Sequence, residues 1–502
     1  MEDLGIDYVD VGHARRAASV DADALPDAFA RLRTAGYRLA AVAAHDDPDA
    51  IRIVYLMTAG PPDRRCELVV RADRDAPAVP SLAAGSYPAS RFEREMADLF
   101  GIAPTGHPDL RRLVAHQHWP ATWYPMRRDA GPPPPMATED EPFPFLKVEG
   151  PGVYEIPVGP VHAGLIEPGH FRFSVLGETI LQMKSRLWFV HKGIERLFQA
   201  RDVTGGVELA ERISGDTAIG HCLAYCLAVE DALDWPVPAE SQMLRSVLLE
   251  MERLSNHVAD VGALCNDVGF GIAQAHAMRI RERLLRINAE MTGHRLLRGA
   301  VRPGGAMVRR PPTVGELEDV AADFHEIVAI ALANSVISDR FTGTAILPRE
   351  LAEGFGTLGY VARASGVGFD AREAHPLHHD VPSVCVEQTG DVAARFRVRV
   401  REFDASVSLI VTLLSRLGDR PSLVPQPSRA RGGSGVGIVE GWRGAIVHRV
   451  EVDPDGAVSR VKVVDPSFLN WPALSAALAD TIVPDFPLAN KSFNLSYAGN
   501  DL

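Results

Sequence analysis

The sequence predicts an α+β protein in three parts: a small N-terminal α/β domain (1–130), a proline-rich linker (131–150), and a large domain (151–502) with a central helical bundle flanked by small β-sheets. Three observations carry this. Strand-like runs separated by turn residues fill the first part. The stretch GPPPPMATEDEPFPFL, 131–146, cannot continue a helix and favours extended polyproline II, a semi-rigid spacer. From Ala218 to Arg298 the apolar residues recur at helical spacing almost without a break.

In the first part, Leu25, Phe29 and Leu32 share one helical face that ends before Gly36. Strands are expected at Tyr37 to Ala44, Ile51 to Met57 and Cys66 to Ala72. RFEREMADLFGI places Phe92, Met96, Leu99 and Phe100 on one stripe, with Gly101 positioned to stop the helix. GHPDLRRL, Gly106 to Leu113, reads as a turn and a basic helix start, with His107 as a turn residue. Beyond the linker, YEIPVGPVHAGLIEPGHFRFSVLGETI alternates as a short sheet broken at Gly159-Pro160 and Pro168-Gly169. Leu244, Val247, Leu248, Met251, Leu254, Val258 and Val261 form one buried helical face, and a further helix is expected over Ala275 to Leu297. Gly433, Gly435, Gly437 and Gly441 precede an alternating strand, not a helix, so they are no dinucleotide loop and no NAD is expected on this chain.

A formal net charge of −13 argues against nucleic acid as a partner, which would want a basic face. The five cysteines, Cys66, Cys222, Cys226, Cys265 and Cys385, form no regular framework and suit a reducing cytoplasm. MEDLGIDYVDVG has no apolar segment, so no signal peptide is expected. The most apolar runs, Ile327 to Ile337 and Val407 to Leu414, are shorter than the roughly 20 residues that span a bilayer.

Two resemblances add function. ERE-x-x-DLFGI, GHPDLRRL and PMRRD (125–129) resemble the 30-kDa-type subunit of respiratory complex I, in which this segment docks the neighbouring large subunit and carries no cofactor. Glu93, Arg94, Glu95 and Arg111 are then solvated or interface charges. The second covers nearly all of 155–502. It is similar to the complex I 49-kDa-type subunit and to the large subunits of membrane-bound NiFe hydrogenases, through HKGIERL, ERISGDTAIGH, the Glu252, Arg253, Asn256, His257, Asp260 motif, and RPGG at 302–305. Within it Arg302, Asp370 and Arg372 are candidates for buried ion pairs.

In the hydrogenase pattern ERISGDTAIGH reads R-x-C-G-x-C-x-x-x-H, and a second cysteine pair lies near the C-terminus. Arg212, Gly215 and His221 fit, but Ser214 and Thr217 replace the first pair, and in KSFNLSYAGNDL the second falls on Ser496 and Gly499. Soft Ni and Fe are held by thiolate sulfur, whereas a hydroxyl keeps its proton and is a hard, weak donor. Nickel is therefore not expected. Read without the resemblance, Ser214 and Asp216 are caps for the helix that begins with Ile219. The complex I relative carries a quinone-binding tyrosine at the position nearest Gly215, which has no donor. A glutamate matching Glu195 binds a structural cation in hydrogenases, which makes it a weak metal candidate, but the C-terminal group sharing that ion is replaced by Leu502.

The resemblance places His162, Glu167, His170 and Arg172, with Asp216 and His221, around the reaction cavity, where they would handle protons; a buried carboxyl can relay protons without a metal. The alternative makes Glu167 and His170 turn residues paired with Arg172. With the cysteines replaced, no cofactor is expected on this chain; the family further implies a 4Fe-4S cluster on a small NuoB-like partner, a possible quinone, a ferredoxin-like subunit, and antiporter-like membrane subunits. These would hold the chain peripherally at the cytoplasmic face of the cell membrane. Two functions stand open: a subunit of a hydrogenase- or complex I-like oxidoreductase, or a non-catalytic subunit bracing an ion-translocating assembly.

Overall fold

The computed structural model describes residues 5–137, 142–164, 166–418, 423–426 and 432–502. Residues 138–141 of the expected linker, which include its acids Glu139, Asp140 and Glu141, lie outside that set. Helices and several small, separate sheets make it an α+β fold.

The N-terminal sheet has five strands in the order Val9–Gly12, Arg15–Ser19, Arg64–Ala72, Ile51–Ala59, Arg38–Asp46. The three longer strands cover the three expected runs except Tyr37, which precedes the strand Arg38–Asp46. The two short ones are not legible in the sequence, because ARRAAS alternates too weakly; Arg15–Ser19 pairs parallel to Arg64–Ala72. The helices Leu25–Thr34 and Tyr87–Phe100 form as the stripes predict, and Gly101 ends the second with φ 74°, a left-handed conformation that glycine adopts without strain.

Both Glu93 and Glu95 are buried; Glu95 is an interface charge, one of the two alternatives expected, whereas Glu93 is neither solvated nor at an interface. Glu93 accepts bonds from Ser81 Oγ (2.5 Å) and Leu82 N (2.7 Å). Glu95 meets Lys462 Nζ at 2.6 Å, and Lys462 reaches on to Glu195 at 3.1 Å. The Phe92 ring packs 5.0 Å from that of Phe468, and the Arg52 guanidinium grips the Glu451 carboxylate at 2.8 and 2.9 Å. The N-terminal sheet is thus keyed into the C-terminal part by buried charge as well as apolar contact. Removing one partner of such a pair leaves the other desolvated and alone. Lys462→Met is expected to destabilise the protein by about 3 kcal/mol or more. Adding Glu95→Leu should restore part of the loss, measured as denaturant midpoints.

The larger part is built on the helices Ala218–Leu233, Ala239–Asp267, Gly271–Thr292, Val314–Leu332 and Val392–Arg416. The expected stripe from Leu244 to Val261 is fully buried. The third of these helices starts and stops earlier than the periodicity suggests, ending at Gly293 with φ 88°. Fixed charges brace this bundle internally. Arg363 pairs with Glu402 (2.7 Å) and Glu440 (2.7 Å), and Arg372 with Asp370 (2.7 Å) and Glu250 (3.2 Å). Asp370 and Arg372 therefore sit where expected. Arg302 does not: its side chain is exposed, and only its carbonyl takes part, accepting from Arg245 (2.7 Å).

The C-terminal sheet, Gly433–Gly441, Gly444–Val452 and Val458–Val464, lies against the Ala218–Leu233 helix. Its glycines are a packing surface. A Cβ on Gly433, Gly435 or Gly437 would lie 2.3, 2.0 or 1.9 Å from the carbonyl oxygen of Ala232, Ala228 or Ala224. Every second residue of a strand advances nearly as far as every fourth residue of a helix, so the row of glycines matches the row of alanines. Among the described residues no single helix is long and apolar enough to cross a membrane; the apolar pair Val314–Leu332 and Ser335–Phe341 is bent by 79°.

Candidate functional site

The two cysteine-replacing segments come together. Ser214 Oγ and Ser496 Oγ share a hydrogen bond of 2.8 Å although 282 positions apart, and Gly499 N donates to the same Ser496 oxygen at 2.8 Å. Ser496 is here the N-cap of the short helix Tyr497–Asp501. Thr217 Oγ1 donates to Asp216 (3.1 Å) and accepts from Trp442 Nε1 (3.1 Å). Ser214, Gly215 and Asp216 on one side and Ser496 on the other bound one shared hollow of about 500 Å³, lined also by His162, Glu167, Asp267, Arg443 and Lys491.

Asp216 dominates its electrostatics. Burial acts against ionisation, but the Arg443 guanidinium, bonded to both oxygens at 2.7 Å, and the Ser214 and Thr217 hydroxyls outweigh it and hold the carboxyl down at about 2. Arg443 is itself fixed by stacking 3.9 Å over Trp442 and by donating to Asn494 O at 2.6 Å. Below the hollow, His221 Nε2 meets Asp465 Oδ2 at 3.0 Å, and its Nδ1 meets His448 Nε2 at 3.1 Å, all three buried.

Ser214 and Asp216 do not cap the helix they precede. Thr217 is the N-cap and supplies no side-chain bond; the free N–H groups of Ile219 and Gly220 are accepted by Glu252, 33 positions beyond Ile219, at 2.7 and 3.0 Å. Burial above all, with the Asp216 charge, pushes the Glu252 carboxyl up to about 8 against those two bonds.

At the mouth, His162 and Glu167 line the hollow; His170 does not, its ring lying 5.7 Å from that of Phe145. His162 Nε2 lies 2.7 Å from Gly169 O, His170 Nδ1 lies 3.2 Å from Gly159 O, and Glu167 accepts from Ala498 N at 3.2 Å. The histidines fasten a loop, and Glu167 joins that loop to the C-terminal helix. Arg172 is not there either: it pairs with Glu155 at 3.5 Å and stacks over Phe145, on the same strand face as His170, whereas Phe171 between them faces the hollow. The pairing of Glu167 and His170 with Arg172 is therefore not what holds the turn.

Glu195 faces two cations of its own chain, Arg460 at 2.8 Å and Lys462 at 3.1 Å, and the Leu502 carbonyl beside it accepts from Lys192 N (3.0 Å) and Ile194 N (3.2 Å). Among the described residues no group of three His, Cys, Asp or Glu is placed to hold a metal ion. Nor do the residues around the hollow fit a thiolate-held metal pair. The Ser214 and Ser496 hydroxyls bond to each other, and a Cβ on Gly499 would lie 2.5 Å from the Asp465 carboxyl.

Asp465, His448, Arg443 and the cap role of Glu252 escape sequence reading. Asp465-Pro466 is a cap followed by proline at the first helical position, which is readable as a helix start; its meeting with His221 is tertiary.

Paired and buried acids make stability fall in acid. Arg372 and Arg363 overcome the burial penalty of Asp370 and hold it down at about 2. A carboxyl depressed in the folded state stabilises above its unfolded value and loses that contribution as pH falls through the folded one. Unfolding free energy should decline between about pH 4 and pH 2, and Asp370→Asn should flatten that limb.

This fold and hollow define the class of large subunit found in hydrogenases and complex I. Residues 18–135 match the family model of the respiratory-chain NADH dehydrogenase 30 Kd subunit, residues 192–264 that of nickel-dependent hydrogenase, and 267–431 that of the respiratory-chain NADH dehydrogenase 49 Kd subunit. The chain is 33% identical to hydrogenase-4 component G of Escherichia coli, over 87% of its own length and 78% of that protein. It is 31% identical to formate hydrogenlyase subunit 5 of Escherichia coli, over 89% and 81%. Against the carbon monoxide-induced hydrogenase of Rhodospirillum rubrum it is 29% identical over 68% and 97%. A chain of the archaeal membrane-bound sulfane sulfur reductase shares the fold, with TM-score 0.62 and 23% identity over 70% of this chain and 99% of that one. The protein belongs to the fused large-subunit family of membrane-associated hydrogenases and complex I-type oxidoreductases.

Proposed function

We propose that the chain is the large subunit of a membrane-associated oxidoreductase whose former metal hollow works without nickel, as a proton-handling pocket beside a partner's 4Fe-4S cluster. In this reading 1–130 is the docking module, 131–150 the spacer and 151–502 the site-bearing part. A small NuoB-like subunit supplies the cluster. A ferredoxin-like subunit and antiporter-like membrane subunits complete an assembly at the cytoplasmic face of the cell membrane.

The observation that carries this reading is the hydroxyl pair of Ser214 and Ser496 opening onto a cavity lined by His162, Glu167, Asp216 and Lys491. Asp216 stays anionic and His162 and Glu167 sit at the mouth, so proton donors and acceptors face a space large enough for a quinone head group. His221 backs the wall through Asp465 and belongs to the support of the site. His170 fastens the mouth loop; Arg172 takes no part.

Purification of the intact complex, with metal analysis and a quinone reductase assay, tests the proposal. Iron of a partner cluster, no nickel, and turnover that Glu167→Gln lowers at least tenfold are expected; stoichiometric nickel on this chain would refute it. Gly215 supplies a sharper check, since a Cβ there would meet nothing within 4 Å. Gly215→Tyr should be accommodated and should lower the KM for quinone. If quinone is no ligand, the KM will not respond.

A bracing role is the second reading, favoured by the buried charge clamps and by a site that matches neither parent at its reactive positions. Absence of any turnover, with the complex failing to assemble without this chain, would select it.

A further inference from the structure

The hollow is not the only cavity that reaches the Gly215–Asp216 turn. Behind it lies a second space of about 230 Å³, lined by Glu252, Ser255, Asn256, Arg281, Leu285 and Arg295 among others, and Gly215 and Asp216 line both. The turn is a partition one residue pair thick. Asn256 ties it to the rear wall, donating from Nδ2 to Asp216 O (2.9 Å) and to Glu252 O (3.0 Å).

Glu252 is buried and differs from the carboxylates around it. Asp216 has Arg443, Glu250 has Arg253 and Arg372, Glu402 has Arg363 and His257, and Asp465 has His221. Among the described residues no cation lies within ion-pair distance of Glu252, whose oxygens hold only the backbone N–H groups of Ile219 and Gly220. The charged groups facing it are Asp216 from the partition, Arg253 from its own helix, Arg281 from the Gly271–Thr292 helix and Arg295 from the turn that follows. A buried carboxyl without a counter-ion resists staying charged, while two N–H donors keep the charged form accessible. Such a group can hold either state, and the burial that pushes it up acts in the same sense.

We propose that Glu252 is a proton-exchanging positioning residue, loaded from solvent through the rear cavity, and that its protonation state is passed to the site hollow through the start of the helix that bears His221. The inference rests on the proton-handling reading above and adds to it a control on the helix that bears His221, separate from His162 and Glu167. The step is balanced: water in the rear cavity gives a proton to a Glu252 oxygen and takes one from solvent. The protonated carboxyl then holds the Ile219 and Gly220 N–H groups less strongly, which loosens the first turn of the helix that bears His221.

The test is infrared spectroscopy on the intact complex, which needs no turnover and so can fail independently of the quinone assay. A carbonyl-stretch band of a protonated, buried carboxyl should titrate near neutral to mildly alkaline pH, disappear in Glu252→Gln, and shift promptly on transfer to D₂O. Leu285→Phe, which fills the rear cavity without touching the hollow, should keep the band and slow its deuterium shift at least tenfold. If Glu252→Gln does not fold, the Leu285→Phe arm still decides. A band untouched by Glu252→Gln, no such band at all, or a shift rate unchanged in Leu285→Phe would overturn the proposal.

Discussion

Gly437→Ala is expected to lower the unfolding free energy by about 3 kcal/mol or more, the upper end of what overpacking costs. The new Cβ would stand 1.9 Å from the Ala224 carbonyl oxygen and 2.9 Å from Ala228 N, so backbone and not a side chain would have to move. That backbone belongs to the Ala218–Leu233 helix, which is pinned at its start by Glu252 and carries His221. Two rigid elements would part, and the wall of the hollow would move with them. Gly315→Ala is the matched control: it lies in the exposed first turn of the Val314–Leu332 helix, and its Cβ would meet nothing within 4 Å. It should be neutral or gain up to about 1 kcal/mol. Denaturant midpoints of the two variants check both halves of the argument.

The second large effect concerns any attempt to rebuild the metal site. Gly499→Cys is expected to cost about 2–3 kcal/mol by overpacking, because its Cβ would fall 2.5 Å from the Asp465 carboxyl. Asp465 cannot easily withdraw, being held by His221 Nε2 at 3.0 Å and by Ser467 N at 2.7 Å. Ser214→Cys and Ser496→Cys replace oxygen by sulfur on an existing Cβ and should each cost less. The quadruple cysteine variant should then bind no nickel unless Asp465 is also shortened. Gly499→Cys with Asp465→Ala should be more stable than the sum of the two single losses predicts. An additive pair in a thermal or denaturant cycle would show that Asp465 is not the obstacle.

What is legible in the sequence follows from the range of each interaction. The helix Tyr87–Phe100 with its terminal Gly101, the Leu244 to Val261 stripe and the glycine-bearing strand are readable because each is local: a period, a cap or a turn. The four emptied ligand positions are readable only through resemblance, since nothing in SGDTAIGH says that Ser496 is its neighbour. His170 and Arg172 mislead because both lie on the strand face turned from the hollow, against Phe145, while Phe171 between them lines it. Glu93 and Glu95 read as solvated or interface charges: Glu95 is the latter, though only the C-terminal strand shows that Lys462 is its partner, and Glu93 is neither, being buried by the Ser81–Leu82 turn. Glu252 stands out in the sequence as part of a motif, but its role depends on a helix start 33 residues earlier.

The seam between the N-terminal sheet and the C-terminal sheet carries a further consequence. Charges such as Lys462, Glu95, Arg449 and Glu67 are tolerable inside a fold only when every partner arrives. On separate polypeptides that condition would depend on concentration; on one chain, tethering makes the docking intramolecular and sets a high effective concentration. Fusion thus lets this family member stake its cohesion on a polar joint. The same residues expressed as two pieces should associate in a salt- and dilution-sensitive way that the continuous chain never experiences.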